Sequence, residues 1–275
     1  MITRFAPSPT GPLHLGHAYS ALLAHDMAAK HGGEFLLRIE DIDQSRARAE
    51  WEAQIYDDLR WLGLWWPEPV MRQSERRATY QTALRQLWDM GLLYPCSCNR
   101  RDIRTAAAAP QEGAPLHGPD GLIYPGTCRE KQRPNEMPDA VLRLNMRSAA
   151  RHISFWDSAP TRKKHSYTAD VLIQTIGDVV LARKDMGTSY HLSVVLDDHA
   201  QGVTDVVRGI DLFDATPIHV LLQAILGLKT PTYHHHALIR DDTGKRLAKR
   251  DDARAISRYR EDGATPDDIR AMVGL

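Results

Sequence analysis

Within its first 43 residues the chain runs from an apolar stretch, Ile2 to Ala6, into the rigid turn Pro7-Ser8-Pro9-Thr10-Gly11-Pro12. Apolar residues then recur at helical spacing over 13–31 (Leu15, Ala18, Leu22, Leu23, Met27) until Gly32-Gly33 breaks the run. A second apolar stretch, Phe35 to Ile39, follows at once and ends in Glu40-Asp41-Ile42-Asp43. Strand, helix and strand at this spacing predict a βαβ unit, and that commits the chain to an α/β fold with a parallel sheet. Ligands of such sheets bind at the carboxyl ends of the strands, where Pro7 to Gly11 and Glu40 to Asp43 both fall.

Beyond this unit, 51–61 and 75–90 have amphipathic helical patterns. After Cys98 the texture changes, and 106–121 is rich in Ala, Pro and Gly, as expected of an exposed loop in an inserted module. Strand-like patterning resumes at 140–146 and 152–156, and the stretches 166–181, 190–194 and 204–207 read as a return to the α/β core. A helix is expected over 216–226 with Pro217 in its first turn, and a last helix opening at Thr265-Pro266-Asp267-Asp268. The expected division is a Rossmann-type core over 1–90 and 165–225, an insertion over 91–164, and a helical C-terminal segment over 226–275.

Thirty-five basic residues balance thirty-five acidic ones, so overall charge does not point to a nucleic-acid partner, and any such partner would need a local patch. No stretch has the uninterrupted apolar length of a membrane helix, and no charged-then-apolar leader opens the chain, so a cytoplasmic protein without a membrane partner, expected to be a monomer, is the reading. Three cysteines, an odd number, argue against a disulfide framework and leave room for a metal site.

His14 and His17 stand three residues apart, on one face of the first turn of the predicted helix, where free N–H groups and the positive end of the dipole favour phosphate. Gly16 keeps a side chain out of the nucleotide's way. Read alone, a His-x-x-His pair is more often two surface histidines. Here the strand, the Pro-Gly turn and the helix all agree with a triphosphate site.

Arg4-Phe5-Ala6-Pro7-Ser8-Pro9-Thr10-Gly11 followed by His14-Leu15-Gly16-His17 closely resembles the opening of class I glutamyl-tRNA synthetases. The second signature of that class, a Lys-x-Ser-Lys-type loop, is matched by Lys245-Arg246-Leu247-Ala248-Lys249-Arg250. Arg246 replaces the usual first lysine and keeps its charge, whereas Ala248 replaces the usual serine and loses a hydroxyl. The resemblance implies a class I Rossmann-type sheet, ATP bound by His14, Gly16, His17, Arg246, Leu247 and Lys249, and catalysis by His14, His17 and Lys249 through charge placed on developing phosphate charge. Mg²⁺ would be held mainly by the ATP phosphates.

A glutamate pocket needs cations for two carboxylates and an acceptor for the ammonium, and guanidinium matches a carboxylate. Arg4 and Ser8 flank the end of the first strand, and Glu40 ends the second. Ser189-Tyr190-His191-Leu192 and Val206-Val207-Arg208-Gly209 also resemble the glutamyl enzymes, which implies that Tyr190 and Arg208, with Arg4, Ala6, Ser8 and Glu40, line the amino-acid site.

Cys96-Ser97-Cys98 and Cys128 suit zinc with one further ligand, for which His117 and Tyr124 are the nearby candidates. A histidine is the better ligand on general chemistry, but Tyr124-Pro125-Gly126-Thr127-Cys128 resembles a short branch of the family in which Tyr and Cys complete a structural Zn²⁺ site. His234-His235-His236 is set aside as a metal site because consecutive residues point in different directions.

The sequence ends at residue 275, soon after Lys249, without the helical anticodon-binding region of a full glutamyl-tRNA synthetase. This layout resembles the short branch that activates L-glutamate with ATP in the absence of tRNA and transfers it to the queuosine base in the anticodon of tRNA(Asp). The alternatives are an ordinary glutamyl-tRNA synthetase core, a regulatory paralogue that no longer makes adenylate, or a class I nucleotidyltransferase that does not use RNA.

Overall fold

The structure, a computed structural model, describes residues 1–107, 117–239 and 254–275. The expected opening unit is present. Strand β1 (Ile2–Phe5) leads through the proline turn to helix α1 (Leu15–Lys30) and returns to strand β2 (Glu34–Ile39), which pairs parallel to β1. Ala18, Ala21, Ala24 and Ala28 are buried on α1, and their small side chains let the helix lie close against the sheet. The reversal from α1 to β2 has no room for a side chain at Gly33, where a Cβ would meet the Met1 carbonyl oxygen at 2.0 Å.

Helix α2 (Ala49–Trp61), strand β3 (Met71–Arg72) parallel to β2, and helix α3 (Arg77–Asp89) follow. The chain then alternates between two sheets. Strand β4 (Leu93–Pro95) belongs to the second of them, which β7 and β10 complete. Helix α4 (Arg100–Ala107) and the small hairpin β5 (His117–Gly118) and β6 (Gly121–Leu122) come next, then β7 (Leu142–Leu144) and the short helix α5 (Met146–Ala149). Strand β8 (Ile153–Asp157) and its hairpin partner β9 (Lys163–Tyr167) extend the main sheet, whereas β10 (Val180–Ala182), reached through helix α6 (Ala169–Thr175), pairs with β7. Helix α7 (Tyr190–Ala200), strand β11 (Asp205–Gly209), helix α8 (Thr216–Leu226) and strand β12 (Thr232–His236) complete the core, with helices α9 (Ile256–Glu261) and α10 (Pro266–Val273) after it.

In the main sheet β11, β12 and β8 run parallel, and β9 is an antiparallel edge. Strand β1 lies beside β11: the Ile2 amide donates to Thr204 Oγ1 at 2.8 Å, and the Thr204 amide donates to the Ile2 carbonyl at 3.0 Å. The carboxyl ends of β1, β2 and β11 therefore face the same way, which gathers the residues after Phe5, Glu40 and Arg208 at one edge.

The stretch 190–194 is the first turn and a half of a helix, and 166–181 contains a helix and a strand of the second sheet. The boundary expected at 164 falls inside β9. Which sheet each of these short strands joins is decided by distant pairing. The helix over 216–226, with Pro217 at its start, and the Thr265 cap of α10 are as expected. Among the described residues no helix is long and apolar enough to cross a membrane.

Buried carboxylates fasten the helices to one another. Asp197 on α7 is fully buried and accepts from Arg76 Nε at 2.6 Å, Tyr80 Oη at 2.8 Å and Gln73 Nε2 at 2.9 Å, which ties the start of α3 to α7. Asp197→Ala would leave a guanidinium, a phenol and an amide without their shared acceptor. A loss of about 3–5 kcal/mol, the cost of breaking a buried ion pair, is expected in urea unfolding monitored by circular dichroism.

Candidate active site

A cavity of about 1670 Å³ opens at the carboxyl ends of β1 and β2. Ala6, Ser8, His17, Glu40 and Tyr190 line it from the main sheet and its helices, and Arg100, Arg104, Asp120 and Tyr124 line it from residues 98–143.

At one end of the cavity stands the start of α1. His14 is its N-cap: His14 Nδ1 accepts from the Gly16 amide at 3.1 Å, and His17 Nδ1 accepts from the His14 amide at 3.2 Å. The two rings stack at 3.8 Å between centroids. Because each Nδ1 is an acceptor, each neutral ring carries its proton on Nε2. The backbone thus sets both rings as Nε2–H donors at a helix N-terminus, the geometry that suits a polyphosphate. Lys249, Arg246 and Leu247 lie outside the described residues. The chain on either side of them is fixed to α1: His236 Nε2 lies 2.8 Å from Ser20 Oγ, and the Ile256 amide donates to the Leu13 carbonyl at 2.9 Å.

Deeper in, two guanidiniums and two carboxylates form a dense cluster. Asp198 on α7 receives Arg4 through Nε at 3.0 Å and Nη2 at 3.3 Å, and Arg38 through Nη1 at 2.7 Å. Arg38 also donates to Glu40 at 3.0 Å and to Gln201 at 2.9 Å. Burial opposes the charge on Asp198, but Arg4 and Arg38 outweigh it and hold this carboxyl below its usual range. At Glu40 burial wins: the carboxyl is pushed above its usual range although Arg38 and Arg4 both oppose the shift. Arg4 and Glu40 are therefore not paired with each other; each has its own partner. Burial raises the Tyr190 hydroxyl, and Arg208, Glu40 and Arg4 are all near enough to act on it electrostatically.

Arg208 differs from the other two. It is buried, and it donates to His235 Nε2 at 3.1 Å, His219 Nδ1 at 3.1 Å, Thr216 Oγ1 at 2.7 Å and the Leu212 carbonyl at 3.3 Å. Every one of these acceptors is neutral, and among the described residues no carboxylate pairs with Arg208. An uncompensated buried cation is costly, and an anionic ligand relieves that cost. The site thus holds one balanced cluster (Arg4, Arg38, Asp198, Glu40) and one cation left to meet a ligand.

The three cysteines come together as expected. The Sγ atoms of Cys96, Cys98 and Cys128 lie within 4.8 Å of one another, with Cys98 and Cys128 3.5 Å apart. Tyr124 Oη sits 3.4 Å from Cys96 Sγ and 3.3 Å from Cys98 Sγ, so phenol and thiols share one cluster. Four ligands about 2.0–2.3 Å from a tetrahedral ion are separated by distances of this order, so the donor set fits zinc. His117, on β5, is not part of the cluster. Burial pushes the Cys128 thiol up, but hydrogen bonds from Tyr124, Ser97 and Cys98 hold it down at about 6, which favours the thiolate that a metal needs. The three consecutive histidines diverge: His234 goes to Asp205, His235 to Asp157 and His236 to Ser20.

Asp198, Arg38, Asp197, His191, His219, His235 and Asp120 were not among the expected site residues. Two signals were present in the sequence: Arg38 interrupts the apolar run Phe35 to Ile39, and Asp197-Asp198 follows the apolar run Val194-Val195-Leu196. Charges embedded in buried segments imply buried partners.

The comparisons with known proteins agree with this geometry. The family "tRNA synthetases class I (E and Q), catalytic domain" matches residues 1–275, and the chain belongs to it. A Rhodobacter capsulatus protein named glutamyl-Q tRNA(Asp) synthetase is 63% identical over 100% of both chains. A Nocardia farcinica protein of the same name is 41% identical over 98% of this chain and 82% of its own. Within the class I family, then, the chain falls among the glutamyl-Q tRNA(Asp) synthetases. Among solved structures, a glutamate tRNA ligase from Elizabethkingia meningosepticum in complex with its amino acid aligns with 28% identity and a TM-score of 0.77, covering 100% of this chain and 60% of that one. The chain thus spans about 60% of the length of that synthetase.

Asp198→Asn removes the shared anion and leaves two guanidiniums side by side. Because the folded-state value of Asp198 is depressed, its contribution to stability is present above the ordinary carboxylate value and lost as pH falls through the lowered one. The variant is expected to lose about 3–5 kcal/mol at pH 7. Its acid denaturation curve should also be shallower than that of the native protein, as read by urea unfolding at a series of pH values.

Proposed function

We propose that the chain activates L-glutamate with ATP, without tRNA, and transfers the glutamyl group to the queuosine base in the anticodon of tRNA(Asp). The observation that carries this reading is 63% identity over the whole length to a protein of that name, joined to a buried guanidinium, Arg208, that no carboxylate among the described residues pairs. In the first step the glutamate α-carboxylate attacks the α-phosphorus of ATP, the bond to the β-phosphate breaks, and pyrophosphate leaves. In the second, a hydroxyl of the queuosine base attacks the acyl-adenylate carbonyl and AMP leaves. No side chain becomes covalently attached.

His14 and His17 donate from Nε2 to the polyphosphate, and Lys249 supplies the positive charge that the transition state needs. Gly16, Arg246 and Leu247 complete the nucleotide site. Glu40 receives the substrate ammonium, Arg208 a carboxylate, and Arg4, Ala6, Ser8 and Tyr190 form the remaining wall. Positioning and electrostatics account for the rate. Mg²⁺ would be held mainly by the phosphates of the nucleotide. Cys96, Cys98, Tyr124 and Cys128 would hold zinc, which would staple a loop-rich segment with few apolar residues of its own. The wall formed by Arg100 and Arg104 gives the cavity a cationic side suited to RNA phosphates. We place the protein in the cytoplasm, as a monomer.

The decisive experiment is ATP–pyrophosphate exchange with glutamate, with and without tRNA. Exchange is expected without tRNA, and radiolabelled glutamate should appear on queuosine-containing tRNA(Asp) but not on the same tRNA lacking queuosine. Exchange that required tRNA, or label confined to a 3′ terminus, would overturn the reading and leave an ordinary glutamyl-tRNA synthetase.

Glu40→Gln tests the ammonium contact. Its glutamate KM should rise on the order of tenfold to a hundredfold, the loss of a charged hydrogen bond, with little change in the KM for ATP. In the native protein glutamate affinity should weaken as pH falls, because the raised Glu40 value makes the anion scarce in acid. That acid limb should be missing from the Gln variant in a KM–pH profile.

A further inference from the structure

The hydrogen bonds around Arg208 do not end there. His219 Nε2 lies 3.0 Å from His191 Nδ1, and His191 Nε2 lies 2.8 Å from Asp120, which lines the cavity between β5 and β6. On the other side His235 Nδ1 lies 2.8 Å from Asp157 Oδ2 at the end of β8. One connected line thus runs Asp157, His235, Arg208, His219, His191, Asp120. Arg208 sits in its middle, and His191, His219 and His235 are all buried.

The chemistry of a guanidinium orders this line completely. Arg208 can only donate, so His235 Nε2 and His219 Nδ1 must be bare acceptors. The proton of His235 is then on Nδ1 and goes to Asp157. That of His219 is on Nε2 and goes to His191 Nδ1, which leaves the His191 proton on Nε2 for Asp120. Each ring has one tautomer, and protonating His219 or His235 would turn an acceptor toward a donor. Burial and the neighbouring Arg208 charge work in the same direction: both hold His219 well below the usual imidazole range, and His235 falls to about 4 despite its bond to Asp157.

We propose that His219 and His235 are positioning residues: a neutral imidazole cradle, anchored at its ends by Asp157 and Asp120, that fixes the Arg208 guanidinium for the substrate carboxylate without neutralising its charge. A carboxylate in place of either ring would hold Arg208 equally well but cancel the cation that the ligand needs. The four bonds also use four of the five N–H groups of the guanidinium and leave one on Nη1. Through Asp120 the cradle ties the β5–β6 hairpin to the amino-acid site. This proposal rests on Arg208 binding glutamate.

The test pairs substitutions that keep the acceptor with ones that delete it. In His219→Asn the amide oxygen can replace Nδ1, and in His235→Gln it can replace Nε2; His219→Leu and His235→Leu have no acceptor. In ATP–pyrophosphate exchange the Leu variants should raise the glutamate KM on the order of tenfold to a hundredfold, with ATP KM and kcat close to native, and the Asn and Gln variants should recover most of that loss. Asp120→Ala should raise glutamate KM several-fold and Asp120→Asn should not, since the amide oxygen still accepts from His191; this rim residue keeps the test open if a Leu variant fails to fold. Independently, ¹⁵N imidazole spectra of the native protein at pH 7 should show His219 protonated only on Nε2 and His235 only on Nδ1. Folded Leu variants with native glutamate KM, losses spread equally over ATP KM and kcat, or a doubly protonated ring at either position would overturn the cradle. Absence of any glutamate-dependent exchange in the native protein would instead overturn the proposed function, and the tautomers would still be measurable.

Discussion

The carboxylate of Asp198 holds the site together. It sits on a helix, α7, and receives guanidiniums from two adjacent strands, Arg4 from β1 and Arg38 from β2. Neither strand end could be brought to that helix by apolar packing alone, because each carries a buried charge that needs an anion. The neighbouring Asp197 makes the same kind of connection on the other side of α7, to Gln73, Arg76 and Tyr80. Two successive carboxylates on one turn thus gather β1, β2, the segment before α3 and α3 itself around the cavity. The placement of Glu40 follows from this, since Arg38 reaches both carboxylates at once.

Much of this was legible in the sequence, for identifiable reasons. The βαβ opening is encoded locally: its strands are continuous apolar runs, its helix has a clear period, and proline and glycine punctuate both ends. His14 and His17 were readable because a helix start fixes their spacing and direction within a few residues. The cysteine cluster was readable because thiols have few other uses at that spacing, although general chemistry favoured His117 and only resemblance favoured Tyr124. The cradle was not readable. Its members come from β8, β11, β12, α7, α8 and the β5–β6 hairpin, and no local pattern announces that His191, His219 and His235 meet. His235 was visible only as the middle of three consecutive histidines, and the alternation of a strand is what separates it from its neighbours. The membership of the short strands in one sheet or the other was hidden for the same reason, since strand pairing is long-range.

The two ends of the cavity solve opposite electrostatic problems. At the end proposed for the nucleotide the backbone sets the geometry: N–H groups at the start of α1 orient two histidines by capping, and the dipole of a 16-residue helix adds to their donors. At the end proposed for the amino acid charge is accumulated and then compensated in part, with Arg4 and Arg38 set against Asp198 and Glu40. Residues 98–143 line the cavity from the other side, beside the small cluster of Tyr94, Cys96, Tyr124 and Cys128 and the buried Asp178, which accepts from Tyr94, Arg129 and the Met146 amide.

This division gives the proposed pocket a physical basis for selecting an amino acid with two carboxylates. Where Arg208 takes the side-chain carboxylate, a neutral side chain of the same shape, such as a primary amide, would leave that cation buried without an anion, and unpaired buried charge is what makes polar sites discriminate strongly. In the proposed pocket the α-ammonium meets Glu40, whose charge burial disfavours although Arg38 donates to it. Ligand binding therefore completes the ionisation of the site at both ends: one carboxylate satisfies a fixed cation, and one ammonium stabilises an anion that the empty pocket holds reluctantly. A zwitterion with an extra negative charge satisfies both conditions together, whereas a ligand that lacks either group leaves one buried charge unanswered.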